Sequence, residues 1–131
     1  MDVVLEFPGL GVAIGVSLLV DTGTDRTILA PSDSRRLREL VGTDLGELAA
    51  GAPSVGVGGR VDTQIADCNL LIDDFSTPLQ LTIIRSSERQ ASEIPSLLGR
   101  DVLSNFALFM EEKSNRILLL DEAETKTLLL P

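Results

Sequence analysis

The chain has 131 residues, 44% of them hydrophobic, with a formal net charge of −9 and no His, Trp or Tyr. That length suits one folded domain, residues 1–131, with a modest aliphatic core. The acidity opposes phosphate backbones and anionic lipid, so neither nucleic acid nor a membrane is an expected partner.

With only four Phe as aromatics, stacking on nucleobases is nearly excluded. The absence of His rules out Ser-His-Asp and Cys-His catalysis and removes the commonest zinc ligand. The single Cys68 forms neither an internal disulfide nor a Cys-rich metal site, and reads as a small core residue. No metal and no cofactor are expected. Carboxylates remain as the acid and base groups.

Residues 3–7 read as a strand stopped by Pro8 and Gly9. Residues 11–20 read as a second, aliphatic strand that runs into Asp21-Thr22-Gly23-Thr24. Residues 27–30 form a short apolar run before Pro31, and a helix is expected over 32–42, with Ser32 as N-cap, Leu37, Leu40 and Val41 on one face, and Gly42 at its end. Residues 43–54 read as loop. Gly56-Val57-Gly58-Gly59 then reads as the tip of a hairpin that continues into an alternating stretch, 60–65.

Residues 70–72 and 79–84 are two further strands, separated by the turn Asp73-Asp74 and by Pro78, and 85–94 is polar loop. Leu97-Leu98-Gly99-Arg100-Asp101 leads into a short helix with Val102, Leu103 and Phe106, which Asp101 is expected to cap. Residues 107–110 and 116–120 flank a polar turn and read as a terminal hairpin, followed by an aliphatic tail at 128–131. Acidic Asp2 and Glu6 stand where a signal peptide would be basic, and no run reaches membrane-spanning length, so a cytoplasmic location is expected.

Asp21 is the residue that most invites a functional reading. A carboxylate at the end of an aliphatic run is costly to bury unless it is shared or neutralised, and such groups concentrate where chemistry is done.

Three landmarks occur in order: the aliphatic run into Asp21-Thr22-Gly23-Thr24, the Gly56–Gly59 hairpin, and Leu97-Leu98-Gly99-Arg100 before a short helix. Together they make the chain resemble the retropepsin-like, retroviral-type aspartic proteases, over most of its length. The resemblance implies a mostly-β, half-barrel fold with one or two short helices, and an active site formed at a homodimer interface. It implies an aspartic endopeptidase acting on extended polypeptide. Asp21 would be catalytic, one from each subunit, the pair sharing a proton and activating a water.

In the same resemblance Thr22, Gly23 and Thr24 support the active-site loop. The Thr22 hydroxyl would bond across the dimer axis, and the Thr24 hydroxyl would donate to the Asp21 carboxylate. Asp25 and Arg100 would form a bracing ion pair. Gly56, Val57, Gly58 and Gly59 would be a flap that closes over substrate. Leu97, Leu98 and Gly99 would pack behind the active site. Residues 31–54 are longer than in compact viral enzymes, which leaves room for an extra helix. Residues 3–7 and 127–130 are the candidate interface strands.

Two other readings compete. Phosphate-binding loops of sugar kinases and aspartyl-phosphate enzymes carry similar short runs, but they need an α/β scaffold that this chain lacks. A catalytically silent module that dimerises or binds extended peptide by strand addition is the stronger alternative.

Overall fold

The computed structural model describes residues 1–42, 49–50, 54–56, 59–61, 63–84 and 94–128. The chain opens with β1 (Asp2–Phe7) and β2 (Val12–Ser17), an antiparallel pair in which Leu5 faces Ile14 and Val3 faces Val16. Strict alternation buries Val3, Leu5 and Phe7 and leaves their neighbours outside. Gly11, at φ 68°, makes the turn between them, its N–H donating to Phe7 O at 2.9 Å.

The expected second strand is two strands. At Leu18 the backbone leaves the β1–β2 pair, its N–H donating to Met1 O at 2.8 Å, and resumes as β3 (Leu19–Val20). The expected run 27–30 contains β4 (Ile28–Leu29).

Helix α1 (Pro31–Val41) differs from expectation at its start. Pro31 is its first residue, where a fixed φ and a missing N–H cost nothing, and Ala30 precedes it without a side-chain cap. Ser32 therefore lies inside the first turn. Ser34 is the buried hydroxyl, donating to Ile84 O at 3.2 Å and seating the helix on the sheet. Leu37 is fully buried, whereas Leu40 is exposed, so the buried face runs Pro31, Ser34, Leu37. Gly42 ends the helix at φ 77°, donating to Arg38 O.

β5 (Ala49–Ala50) falls within the expected loop 43–54 and pairs with β8. β6 (Ser54–Gly56) and β7 (Gly59–Val61) pair antiparallel with Gly56 opposite Gly59, which is the expected hairpin; Val57 and Gly58 lie outside the described residues. β8 (Thr63–Ile72) and β9 (Phe75–Ile84) form one long hairpin that turns at Asp73-Asp74, with Asp73 at φ 48°. Pro78 does not separate two strands. It sits inside β9 opposite Asn69, where β9 is paired on one side only because β4 joins it only at Thr82 and Ile83.

β10 (Leu97–Leu98) inserts between β4, antiparallel, and β3, parallel. Among the described residues, the main sheet has eight strands. Along the order β2-β1-β8-β9-β4-β10-β3, β5 joins β8 off the path. It curls into a half-barrel around Leu5, Phe7, Leu29, Leu70, Leu81 and Leu98. Because β1 is held between β2 and β8, residues 3–7 have no free edge for a partner.

α2 (Arg100–Leu103) leads into a separate ribbon of β11 (Ala107–Glu111) and β12 (Arg116–Leu120). α3 (Glu122–Leu128) follows. Asp121 caps it reciprocally with Glu124, at 2.8 and 3.3 Å. Thr127 is thus helical and not part of an interface strand. No helix among the described residues is long and apolar enough to cross a membrane.

Candidate active site

The loop from Asp21 to Thr27 is held from behind by β10 and α2. Asp21 N–H donates to Leu98 O at 3.0 Å, directly continuing the parallel β3–β10 pairing. Further along, Arg100 N–H donates to Thr24 O at 2.9 Å and Asp101 N–H to Asp25 O at 3.1 Å. The loop is therefore pinned at three successive points by residues 98–101.

Thr27 closes the arrangement. It is fully buried, its N–H donates to Asp101 Oδ2 at 2.9 Å, and its hydroxyl donates to Asp101 Oδ1 at 2.7 Å. The same hydroxyl accepts the Gly99 N–H at 3.1 Å. Asp101 thus does not cap α2, as the sequence suggested; it clamps the exit of the Asp21 loop.

Ser96 performs a similar function one strand away. Its carbonyl accepts Leu19 N–H at 2.9 Å, and its hydroxyl accepts Ala30 N–H at 2.8 Å and donates to Asp33 at 2.6 Å. Asp33 in turn holds Arg36, which donates to Gly15 O at 3.0 Å. The start of α1 is tied in this way to the strands flanking the loop.

Leu97, Leu98 and Gly99 lie directly behind the loop. At Gly99 a Cβ would stand 2.5 Å from the Arg26 carbonyl carbon and oxygen, so only glycine lets the two backbones cross. Gly23 is tight in a different way. Its N–H donates to Asp21 Oδ1 at 2.8 Å, and a Cβ there would meet that oxygen at 3.1 Å.

Asp21 is half-buried, and Thr22 and Gly23 are exposed. The carboxylate is therefore not sunk in the core of a single chain, as the aliphatic run before it suggested; Leu19, two residues earlier, is 57% exposed. The Thr24 hydroxyl donates to Arg26 O at 3.2 Å and not to Asp21. Asp25 and Arg100 form an ion pair between two largely exposed side chains. Gly56 and Gly59 belong to the hairpin β6–β7.

Thr27, Ser96, Asp33 and Asp101 were not singled out by the sequence as parts of this site. The available signal was weak: a hydroxyl inside the apolar run 27–30 has to find a buried partner.

Among the described residues, no group of three acidic, Cys or His side chains could hold a metal. A cleft of about 810 Å³ between the β1–β2 turn and the β8–β9 hairpin includes Cys68 and Asp67 but none of the Asp21 loop. Burial pushes the Cys68 thiol up to about 12, with Asp67 and Asp101 adding to the effect, so it is no nucleophile at neutral pH.

No protein-family model matches the sequence, and no curated protein does. Solved structures do match. The retropepsin-like aspartic protease from Rickettsia conorii is similar at 21% identity and a TM-score of 0.60, over 90% of this chain and 88% of that one. The EIAV protease in complex with the inhibitor HBY-793 matches at 19% identity and TM-score 0.54, over 91% and 90%. The retroviral protease-like domain of Ddi1 from Leishmania major matches at 17% identity and TM-score 0.52, over 91% and 86%. The chain has the retropepsin-like fold.

Proposed function

We propose that the protein is an aspartic endopeptidase whose active site is built from two copies of the chain, each contributing Asp21. The observation that carries this reading is the mounting of Asp21: a half-buried carboxylate on a loop pinned by residues 98–101, on a retropepsin-like fold. One carboxylate cannot serve as acid and base in the same step. Two facing each other across a two-fold axis share one proton, because adjacent like charges do not both ionise.

The ionised carboxyl takes a proton from water as the water oxygen bonds to the peptide carbonyl carbon. The protonated carboxyl gives its proton to the carbonyl oxygen. The tetrahedral adduct then collapses. One of its hydroxyl protons returns to the dyad, a dyad proton passes to the departing nitrogen, and the C–N bond breaks. No metal or covalent intermediate takes part.

In this reading Thr22, exposed in the single chain, bonds across the axis, and the Asp25–Arg100 pair braces the loop against the second copy. The β6–β7 hairpin acts as a flap over an extended peptide, and Val57, between its two strands in sequence, supplies the apolar contact. The aliphatic surroundings favour apolar residues at the cleavage site.

The non-catalytic alternative draws support from one observation. Asp21 is not deeply buried in the single chain, so its presence carries no folding penalty that activity must justify. A peptide-library cleavage assay from acidic to neutral pH, at high protein concentration, separates the two. Cleavage by the wild type and none by Asp21→Asn supports the peptidase. No cleavage at any pH from a demonstrated dimer assigns a peptide-binding or assembly module.

A further inference from the structure

Arg26 is the only cation between Asp21 and Pro31. Its side chain is exposed, and among the described residues its guanidinium has no hydrogen-bond or ion-pair partner. The other arginines tied to this region are occupied. Arg100 holds Asp25, and Arg36 holds Asp33 and donates to Gly15 O.

The backbone under this free charge is fixed. Arg26 O accepts the Thr24 hydroxyl at 3.2 Å, and Gly99 crosses so closely that a Cβ on it would stand 2.5 Å from the Arg26 carbonyl. Thr27, the next residue, is clamped by Asp101. The same stretch of chain carries Asp21, whose N–H donates to Leu98 O at 3.0 Å. Leu98 pairs with Val20 on one side, and Leu97 with Ile28 on the other. Asp21 and Arg26 therefore flank Leu98-Gly99 from opposite sides, their backbones two strand spacings or roughly 10 Å apart.

A reacting carboxylate and an unused guanidinium thus share one rigid mount. In an extended peptide that separation spans about three residues. A guanidinium takes a carboxylate through two parallel hydrogen bonds, a geometry that an amide does not match. The net charge of −9 repels acidic peptides as a whole, so a preference for acid has to come from a local cation.

We infer that Arg26 is a specificity-determining residue that selects polypeptides bearing Asp or Glu within about three residues of the cleaved bond. This rests on the peptidase reading above and names its substrate class. Apolar residues occupy the positions at the bond itself, and the acidic side chain lies beyond them. Two copies bring two Arg26, so the preference holds on both sides of the bond.

The test uses the full chain and matched peptides that differ only in Asp against Asn, or Glu against Gln, at each position around the cleaved bond. It is run above about pH 5, where the peptide carboxylates are ionised. The acidic member should show kcat/KM about 10-fold higher at one or more positions. Arg26→Gln should abolish that difference, and Arg26→Glu should transfer the preference to Lys. Melting curves of both variants should match the wild type, because the side chain has no partner to lose. The same peptides, titrated by fluorescence anisotropy against Asp21→Asn with and without Arg26→Gln, give the comparison without chemistry.

Cleavage with no acidic preference, or with a preference that Arg26→Gln leaves intact, overturns the inference and keeps the peptidase. An Arg26-dependent preference in binding, from a wild type that cleaves nothing, keeps the inference for the groove and removes the peptidase. Absence of both cleavage and binding overturns the two together.

Discussion

Asp101 reaches back 74 residues in sequence to hold Thr27 with both carboxylate oxygens, one on the backbone N–H at 2.9 Å and one on the hydroxyl at 2.7 Å. The clamp fixes where the Asp21 loop rejoins the sheet. Removing either member strands a buried polar group, which costs roughly 1–3 kcal/mol. Asp101→Ala and Thr27→Val should each lower unfolding stability by about that amount in urea titrations. The double variant should fall well short of the sum, because one bonded unit is lost in either case. Additive losses would show that the two residues act independently.

The two tight glycines should separate stability from activity. Gly99→Ala drives a methyl into the Arg26 backbone at 2.5 Å and should cost about 3 kcal/mol or prevent folding. Gly23→Ala meets only the Asp21 carboxylate, which can rotate. It should leave stability within about 1 kcal/mol while reducing cleavage by displacing that carboxylate. Paired thermal melts and rate measurements read both effects.

Asp21→Asn should reduce cleavage on the order of 10²–10⁴-fold, the usual contribution of a positioned acid–base group. Since the side chain is only half-buried, the melting curve should be nearly unchanged. Wild-type-level cleavage by Asp21→Asn, in a preparation free of wild-type protein, would sink the mechanism.

Arg100 and Asp25 are 58% and 80% exposed, so within one chain their pairing is worth at most about 1 kcal/mol. Arg100→Ala should therefore leave the folded chain nearly as stable but weaken its self-association. An unchanged dimer Kd would remove Arg100 from the interface.

Cys68 gives the chain an alkaline limit. Burial raises its thiol from 9.0 to about 12. Below about pH 9 both folded and unfolded chains keep the proton, and the stabilisation is complete. As pH rises towards 12, the unfolded chain loses the proton first and stability falls. Cys68→Ala should flatten this slope, and no Tyr contributes to it. An identical slope in both proteins would exclude Cys68 as its source.

Much of this architecture is legible in local pattern. The period-two burial of β1, the glycine-rich hairpin, the turn at Asp73-Asp74 and the terminal hairpin all follow from short-range rules. What escaped depends on partners distant in sequence. Asp101 looked like a helix cap because its real partner, Thr27, lies far upstream. Ser32 looked like an N-cap because Pro31, read as a strand stop, is itself the first helical residue. Pro78 looked like a boundary because the one-sided pairing of β9 is invisible without the sheet. The half-exposure of Asp21 was missed for the same reason: an aliphatic run suggests burial, but β3 closes the strand order and leaves Leu19 exposed.

The insertion of β10 between β3 and β4 also sets a schedule for the growing polypeptide. Thr27 and Gly99, bonded in the finished site, are 72 residues apart. At 5–20 residues per second, roughly 4–14 s pass between their syntheses. Throughout that interval β3 and β4 have an empty slot between them, and the Asp21 loop lacks the strand and helix that pin it. A chain arrested before Leu97 carries every atom of the carboxylate and none of its mounting. Only when residues 98–101 have been made can the loop gain the bonds from Leu98, Arg100 and Asp101 that hold it.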